Sequence, residues 1–242
     1  YRSPTWVAVL GIFISFIAFI VVQDWKQNLA EKRFSETSRA YAAALQRNID
    51  QHLGQLNNIQ RLYEASDSLR RDDFHAFVQD DIPRNKGTRR LEWLPRVPYV
   101  LRESFVNGIR QFEFPNFHIS KISNEGRIVS VEKRDNYYPI YYSEPTTKDN
   151  GYLGLDPTTD ELRSIIQVYS DSDSVPMITR RIGSGQGQNN RLIFEAYLPV
   201  YSRTDNKPEY ALAGLIRGIF DIGEIINYAA TQQSGQTIGL RI

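Results

Sequence analysis

The chain has 242 residues, with 29 Lys and Arg against 28 Asp and Glu, three His and no Cys. A net charge of +1 gives no electrostatic footprint for nucleic acid, which is therefore not an expected partner. The absence of Cys excludes a disulfide framework and, with so few His, leaves little material for a structural zinc site. The length allows one large domain or two small ones.

The first 23 residues differ in composition from the rest of the chain. Residues 3–23 carry no charge, and most residues from Thr5 to Val22 are hydrophobic. At a rise of about 1.5 Å per residue this stretch reaches about 30 Å, which is enough to cross a bilayer. Trp6 and Trp25 stand near its two ends, where interfacial aromatic side chains lie. We predict a transmembrane helix with a short flank in residues 1–23, in contact with the lipid bilayer through residues 5–22.

A secretory signal peptide is the alternative for this segment, because it too begins with a basic residue and a hydrophobic run. The run is longer than the roughly 7–15 residues of a signal-peptide core, and Gln23 and Asp24 follow it without a small-x-small cleavage pattern. An uncleaved anchor is therefore preferred. One Arg precedes the run and three basic residues follow it closely, so charge alone does not decide the orientation in the membrane.

Beyond the anchor, the pattern predicts helix to about residue 70. Residues 24–44 are mostly polar and predict a helical stalk. The segment after the stalk carries an apolar stripe at helical spacing, made of Leu45, Ile49, Leu53, Leu56, Ile59 and Leu62. One interpretation is a core helix of a single domain, and the other is a helix that also pairs with its copy in a homodimer.

The rest of the chain alternates helix and strand patterns. We predict helices at Asp72–Asp80, Pro98–Gln111, Thr158–Ser170 and Ile222–Ala230. We predict strands within Phe117–Val131, around a turn at Asn124-Glu125-Gly126, and at Met177–Ile182, Arg191–Tyr201 and Ala211–Phe220. This mixture of segments predicts an α+β fold.

No pattern singles out a catalytic site. The glycines at positions 183, 185 and 187 have the wrong spacing for a P-loop or a dinucleotide fingerprint, and they lead into a predicted strand. His52, His75 and His118 are scattered, and none lies near a Ser in a nucleophile elbow. We therefore expect no catalytic residue, no metal and no cofactor in this chain.

A set of short motifs follows the helical segment in a fixed order. The motifs are Leu91-Glu92-Trp93-Leu94-Pro95-Arg96-Val97, Arg102 with Phe105, Tyr138-Pro139-Ile140-Tyr141-Tyr142-Ser143-Glu144-Pro145, Gly154-Leu155-Asp156 with Arg163, and Leu198-Pro199-Val200-Tyr201. Together with the preceding hydrophobic run, this order resembles the CHASE domain, the extracytoplasmic sensor of bacterial and plant receptors. The resemblance covers about residues 45–230.

The resemblance implies a long helix that leads from the membrane to two stacked PAS-like modules with antiparallel sheets. A small-molecule pocket would lie in the membrane-distal module. It further implies a periplasmic sensor anchored in the inner membrane, with residues 231–242 starting the return towards a second membrane helix outside this chain. The output domain, also outside this chain, would be a diguanylate cyclase, a cyclic-di-GMP phosphodiesterase or a histidine kinase.

Six residues are predicted to contact the ligand. They are Tyr142 and Phe194 as flat surfaces, Glu144 and Thr179 as hydrogen-bonding groups, and Arg96 and Arg163 as charges. In the related plant cytokinin receptors an Asp binds adenine. Here Pro145 occupies the position of that Asp, and its side chain has no hydrogen-bond donor or acceptor. We therefore do not assign cytokinin as the ligand of this chain. Packing is the alternative role for each residue, and Arg96 with Asp156 is a candidate internal ion pair.

The preferred function is thus a small-molecule sensor without catalysis in this chain, controlling a cytoplasmic signalling enzyme. A membrane-anchored extracytoplasmic enzyme or a protein-interaction scaffold is the alternative. An enzyme would show turnover that depends on a few acids or His, and a scaffold would show no thermal shift with small molecules.

Overall fold

The computed structural model describes residues 15, 19, 35, 38–64, 70–123, 125–145, 152–168, 177–183, 191–203 and 210–238. The predicted transmembrane segment, residues 5–22, and most of the predicted stalk, residues 24–44, lie outside these ranges. Among the described residues, no helix combines the length and the apolar character needed to cross a membrane.

The chain divides into two compact units. The larger unit comprises Asn48–Tyr228, and the other comprises Tyr1–Arg47 together with Ala229–Ile242. The described residues of the second unit are all helical. The predicted domain limits at residues 23, 44 and 230 stay predictions.

The described helices follow the predicted order except for α3, which was not predicted. Helix α1 covers residues 38–64, and the others are α2 (Arg71–Val78), α3 (Asp81–Arg84), α4 (Arg102–Phe112), α5 (Asp160–Val168) and α6 (Ile222–Ile238). The helix predicted from Pro98 begins at Arg102, because residues 99–101 form a 3₁₀ turn. Side-chain caps define two helix starts, since Thr159 Oγ1 accepts from the Leu162 amide at 3.2 Å and Asp221 Oδ1 accepts from the Glu224 amide at 3.1 Å.

Nine strands are described, and their sheets are antiparallel. The strands are β1 (Thr88–Pro95), β2 (Val97–Pro98), β3 (Ser120–Ile122), β4 (Ile128–Ser130), β5 (Asn136–Tyr137), β6 (Tyr142–Glu144), β7 (Met177–Gly183), β8 (Arg191–Arg203) and β9 (Tyr210–Asp221). The central sheet has the order β6-β1-β9-β8-β7, and β2-β5 and β3-β4 form two small sheets. The α+β fold with antiparallel sheets is therefore confirmed, whereas the stacking of two PAS-like modules stays a prediction.

The predicted turn between Ile122 and Ile128 is confirmed. These two residues are paired in register between β3 and β4. Gly126 has φ +79°, a left-handed conformation that glycine adopts without steric cost. The hairpin belongs to an insertion between the neighbouring strands β1 and β6, which has its own apolar cluster built around Val97, Val106, Ile109, Phe117, Ile119, Val131 and Tyr137.

Helix α1 packs against one face of the central sheet. The Tyr63 and Trp93 rings lie 4.8 Å apart, and a Cβ atom at Gly218 would lie 3.0 Å from Leu56 Cδ2, so the glycine leaves room for the helix. The predicted apolar stripe is correct at Leu56 and Ile59, which are buried. It is wrong in the first half of the helix, where the buried side chains are Ala44, Asn48, His52 and Gln55, and where Leu45, Ile49 and Leu53 are only partly buried.

Helix α5 packs with the opposite face of the sheet. Side chains alternate between the two faces of a strand, so Leu94 points away from the face of Trp93. The apolar cluster on the α5 side consists of Leu94, Tyr138, Ile140, Leu155, Leu162, Ile166, Tyr197 and Leu215. The central sheet therefore has a helix and a separate set of side chains on each face.

Candidate ligand-binding site

The sheet face opposite α1 carries three buried charged side chains on three neighbouring strands. Glu92 on β1, Glu195 on β8 and Arg217 on β9 have exposed fractions of 0%, 5% and 5%. Glu92 and Arg217 are paired in register, and so are Arg217 and Tyr197, which places their side chains on one face. We refer to Glu92, Glu195 and Arg217 as the charged triad.

Arg217 joins the two carboxylates of the triad. Its Nη1 donates to Glu92 Oε2 at 2.7 Å. Its Nη2 and Nε lie 2.9 and 3.2 Å from the two carboxylate oxygens of Glu195, a bidentate arrangement. Burial would lower the pKa of Arg217, but Glu92, Tyr197 and Glu195 together raise it above its ordinary value. The guanidinium is therefore permanently charged and fixed in orientation.

Two hydroxyl groups extend the triad. Tyr197 OH donates to Glu195 Oε2 at 2.8 Å, and Ser143 Oγ donates to Glu92 Oε1 at 3.2 Å. Burial raises the pKa of Tyr197, so its hydroxyl remains a donor. Tyr197 also belongs to the apolar cluster under α5, and so the polar network directly adjoins an apolar surface.

The network reaches the surface through Arg90. Arg90 Nη1 lies 3.7 Å from Glu92 Oε1, and its guanidinium lies 4.6 Å from the centroid of the Tyr152 ring. Tyr152 is about half exposed, at 48%. A polar path thus leads from a fully buried carboxylate to an exposed aromatic ring.

The predicted ligand residues Tyr142 and Phe194 lie in aromatic packing. Tyr142 is stacked on Tyr141 with ring centroids 4.2 Å apart, and Phe194 is stacked on Phe220 at 4.9 Å. Tyr142 is the register partner of Trp93, which places it on the α1 side of the sheet. Neither aromatic ring lies on the face of the charged triad.

The predicted polar residues are spread over other places. Glu144 Oε1 lies 2.8 Å from Nδ1 of His75 on α2. Thr179 on β7 is the register partner of Glu195, and its side chain lies outside the described part of the structure. The six predicted residues are therefore not brought together at one place, and their contact with a ligand stays a prediction.

The two predicted arginines both bind Asn136. Arg96 is exposed, and its Nε donates to Asn136 Oδ1 at 2.8 Å. Arg163 donates to the Asn136 carbonyl at 2.7 Å and to Asp156 Oδ2 at 2.6 Å. The internal ion pair of Asp156 is thus made with Arg163, where the sequence suggested Arg96.

A protein-family model for the CHASE domain matches residues 67–242 and so includes every element from α2 onwards. The chain belongs to the CHASE domain family. CHASE domains are extracytoplasmic sensor domains of signalling receptors. Comparison with curated proteins gives no match.

The charged triad of this CHASE domain was missed in the sequence. Its signal is a lone charge inside an otherwise apolar strand, as in Leu192-Ile193-Phe194-Glu195-Ala196-Tyr197-Leu198 and Leu215-Ile216-Arg217-Gly218-Ile219-Phe220. Charged residues are almost never fully buried unless they are paired, so a Glu and an Arg in two successive core strands indicate a buried pair. Glu92 occupies the same kind of position within the first family motif.

Proposed function

We propose that the chain is the ligand-sensing part of a transmembrane receptor, with a small molecule bound on the sheet face opposite α1, at the charged triad. Residues 5–22 anchor the chain in the inner membrane, the sensor domain lies in the periplasm, and a homodimer forms through the stalk helix. The receptor controls a cytoplasmic output domain, such as a diguanylate cyclase, a phosphodiesterase or a histidine kinase. Membership of the CHASE family supports the receptor role.

The observation that carries the proposed site is the triad itself. Small-molecule sites combine an apolar lining with a few placed polar groups, and here three buried charges adjoin the apolar cluster under α5. Hydrogen bonds to a ligand are strong in such a low-dielectric place. Arg217 offers donors for an acidic or carbonyl group, and Glu92 and Glu195 offer acceptors for an N–H or O–H group.

The triad also provides a route from the ligand to the end of the domain. It joins β1, β8 and β9, and β9 ends at Asp221, which caps the start of α6. Arg89 on β1 lies 2.9 Å from Asp221 Oδ2 and 2.5 Å from Glu224 Oε1, so the start of α6 is tied to β1. A ligand that binds two arrangements of these strands and α6 with different affinity shifts the equilibrium between them by its difference in binding free energy.

A thermal-shift screen of small metabolites on the whole chain in detergent tests this proposal. A compound present at 100 times its Kd stabilises the native state by about 2.7 kcal/mol, which corresponds to about 5–11 °C for a chain of this size. Glu195→Gln, which preserves size, should abolish the shift by a hit, whereas Glu125→Gln at the β3–β4 turn should leave it unchanged.

Two further variants separate the triad from the residues predicted by sequence. If the ligand lies on the triad, Tyr142→Phe leaves the shift intact and Thr179→Val reduces it, because Thr179 is the register partner of Glu195. The triad would be rejected as the site if Glu195→Gln kept the full shift while Tyr142→Phe lost it. If no compound in the library gives a thermal shift that differs between these variants, small-molecule sensing on this sheet face is contradicted.

A further inference from the structure

His52 is a buried histidine that lies between two backbone carbonyl groups. It belongs to α1, and its exposed fraction is 2%. Its Nδ1 lies 2.6 Å from the carbonyl oxygen of Asn48, one turn earlier in the same helix. Its Nε2 lies 3.1 Å from the carbonyl oxygen of Lys86, in the segment before β1. The ring therefore connects two different elements of the fold.

Both neighbours of the ring are hydrogen-bond acceptors. A carbonyl oxygen cannot donate, and a neutral imidazole has only one N–H group. In the neutral form, one ring nitrogen directs its lone pair at a carbonyl oxygen, and one of the two contacts is lost. Only the imidazolium form donates to both oxygens. The geometry at His52 thus distinguishes the two protonation states.

The same contact belongs to a polar seam between α1 and the segment before β1. Thr88 Oγ1 donates to Gln55 Oε1 at 2.8 Å, and Gln51 Nε2 donates to Asn85 Oδ1 at 2.6 Å. These partners have no charge that changes with pH. Among the side chains of this seam, the His52 imidazole is the one that exists with either one or two N–H groups.

We propose that His52 is a proton-operated latch, in which uptake of a proton adds the second hydrogen bond of the ring and tightens α1 onto the segment before β1. The proton is then an input to the receptor that is separate from the ligand. A tighter seam favours one position of α1 relative to β1, which is a strand of the sheet that carries the proposed ligand site.

The charged side chains on the elements around the ring are exposed or engaged in ion pairs, which leaves the change of protonation to His52. Lys86 contributes its carbonyl, and its side chain is exposed. On β9, the Phe220 ring packs edge-on at 5.5 Å, and the next residue, Asp221, is paired with Arg89. Glu224 on α6 shares the same Arg89.

The chain offers a sharp test because it has three histidines. In a tag-free chain with His75→Gln and His118→Gln, His52 is the sole histidine, and adding His52→Gln gives the matched control. The unfolding midpoint of both is measured from pH 8 to pH 5.5. The double variant should gain about 3–12 °C over the control as the pH falls, because the extra hydrogen bond exists only in the folded state. A constant or shrinking difference overturns the proposal.

A second measurement uses the unaltered chain and does not depend on how the variants fold. Nitrogen-15 labelling of histidine gives separate ring signals for three residues, which single replacements assign. At pH 5.5 the His52 signals should show both nitrogens protonated, with slowly exchanging N–H groups. A neutral His52 ring at pH 5.5 would overturn the latch. Neither outcome bears on ligand binding at the charged triad.

Discussion

Arg217→Met tests whether the charged triad is held together by its guanidinium. The substitution keeps most of the apolar length of the side chain but removes the donors at 2.7, 2.9 and 3.2 Å from Glu92 and Glu195. Two buried carboxylates then lie on one sheet face without their shared counter-charge. Removing one partner of a buried ion pair costs about 3–5 kcal/mol, which corresponds to a fall of about 6–20 °C in the unfolding midpoint for this chain length.

The assay is calorimetry at pH 7, with two companion variants. Arg127→Met removes an ion pair between largely exposed side chains and should cost at most about 1 kcal/mol. A triple variant with Met at positions 92, 195 and 217 leaves no unpaired charge and should be more stable than Arg217→Met alone. An unfolding midpoint of Arg217→Met within 2 °C of the parent chain, or a triple variant less stable than Arg217→Met, would show that the guanidinium does not hold the triad together.

Two other changes have defined outcomes in calorimetry. Gly154→Ala should destabilise the chain more than Gly126→Ala. Both glycines have positive φ, so alanine costs about 1–2 kcal/mol of stability at either position, but only a Cβ atom at Gly154 collides with the His118 carbonyl. Equal losses of stability in the two variants would contradict this. Hydrogen bonds, mainly from Lys121, lower the pKa of Glu132 to about 2. The stabilisation by ionised Glu132 is complete above the pKa of this residue in the unfolded state, and it is lost as the pH falls towards 2. The difference in unfolding free energy between the parent chain and Glu132→Gln should therefore shrink across that pH range, and also with added salt.

The elements that sequence reasoning found are those whose pattern is local. The β8–β9 hairpin, predicted as Arg191–Tyr201 and Ala211–Phe220, is present with strands extended towards the turn to Arg203 and from Tyr210. Helices such as α5 followed from spacing alone, because Leu162 and Ile166 are one turn apart and both are buried. Periodicity reports which side of an element is apolar, and for these segments that is the buried side.

The site could not be found in this way, because its contacts join distant parts of the chain. Arg217 and Glu92 are 125 residues apart and meet only through the β1–β9 register. Helix α1 shows a different limit, since it buries His52 and Gln55 in place of apolar side chains. Hydrogen bonds across the seam engage His52 Nε2 and Gln55 Oε1, and hydrophobic periodicity does not register such bonds.

The position of β1 between β6 and β9 in the sheet has a consequence for how the protein is made. One of its two neighbours, β9, follows it by some 125 residues, the separation between Glu92 and Arg217. At roughly 5–20 residues per second of synthesis, that interval lasts roughly 6–25 s. During this time a strand rich in Leu and Trp has only the short β6 beside it, whereas the β7–β8–β9 meander closes by local hairpins soon after it is made. Strand β1 is therefore translated early and paired on both sides only at the end, which makes it the segment most exposed to wrong partners in the nascent chain.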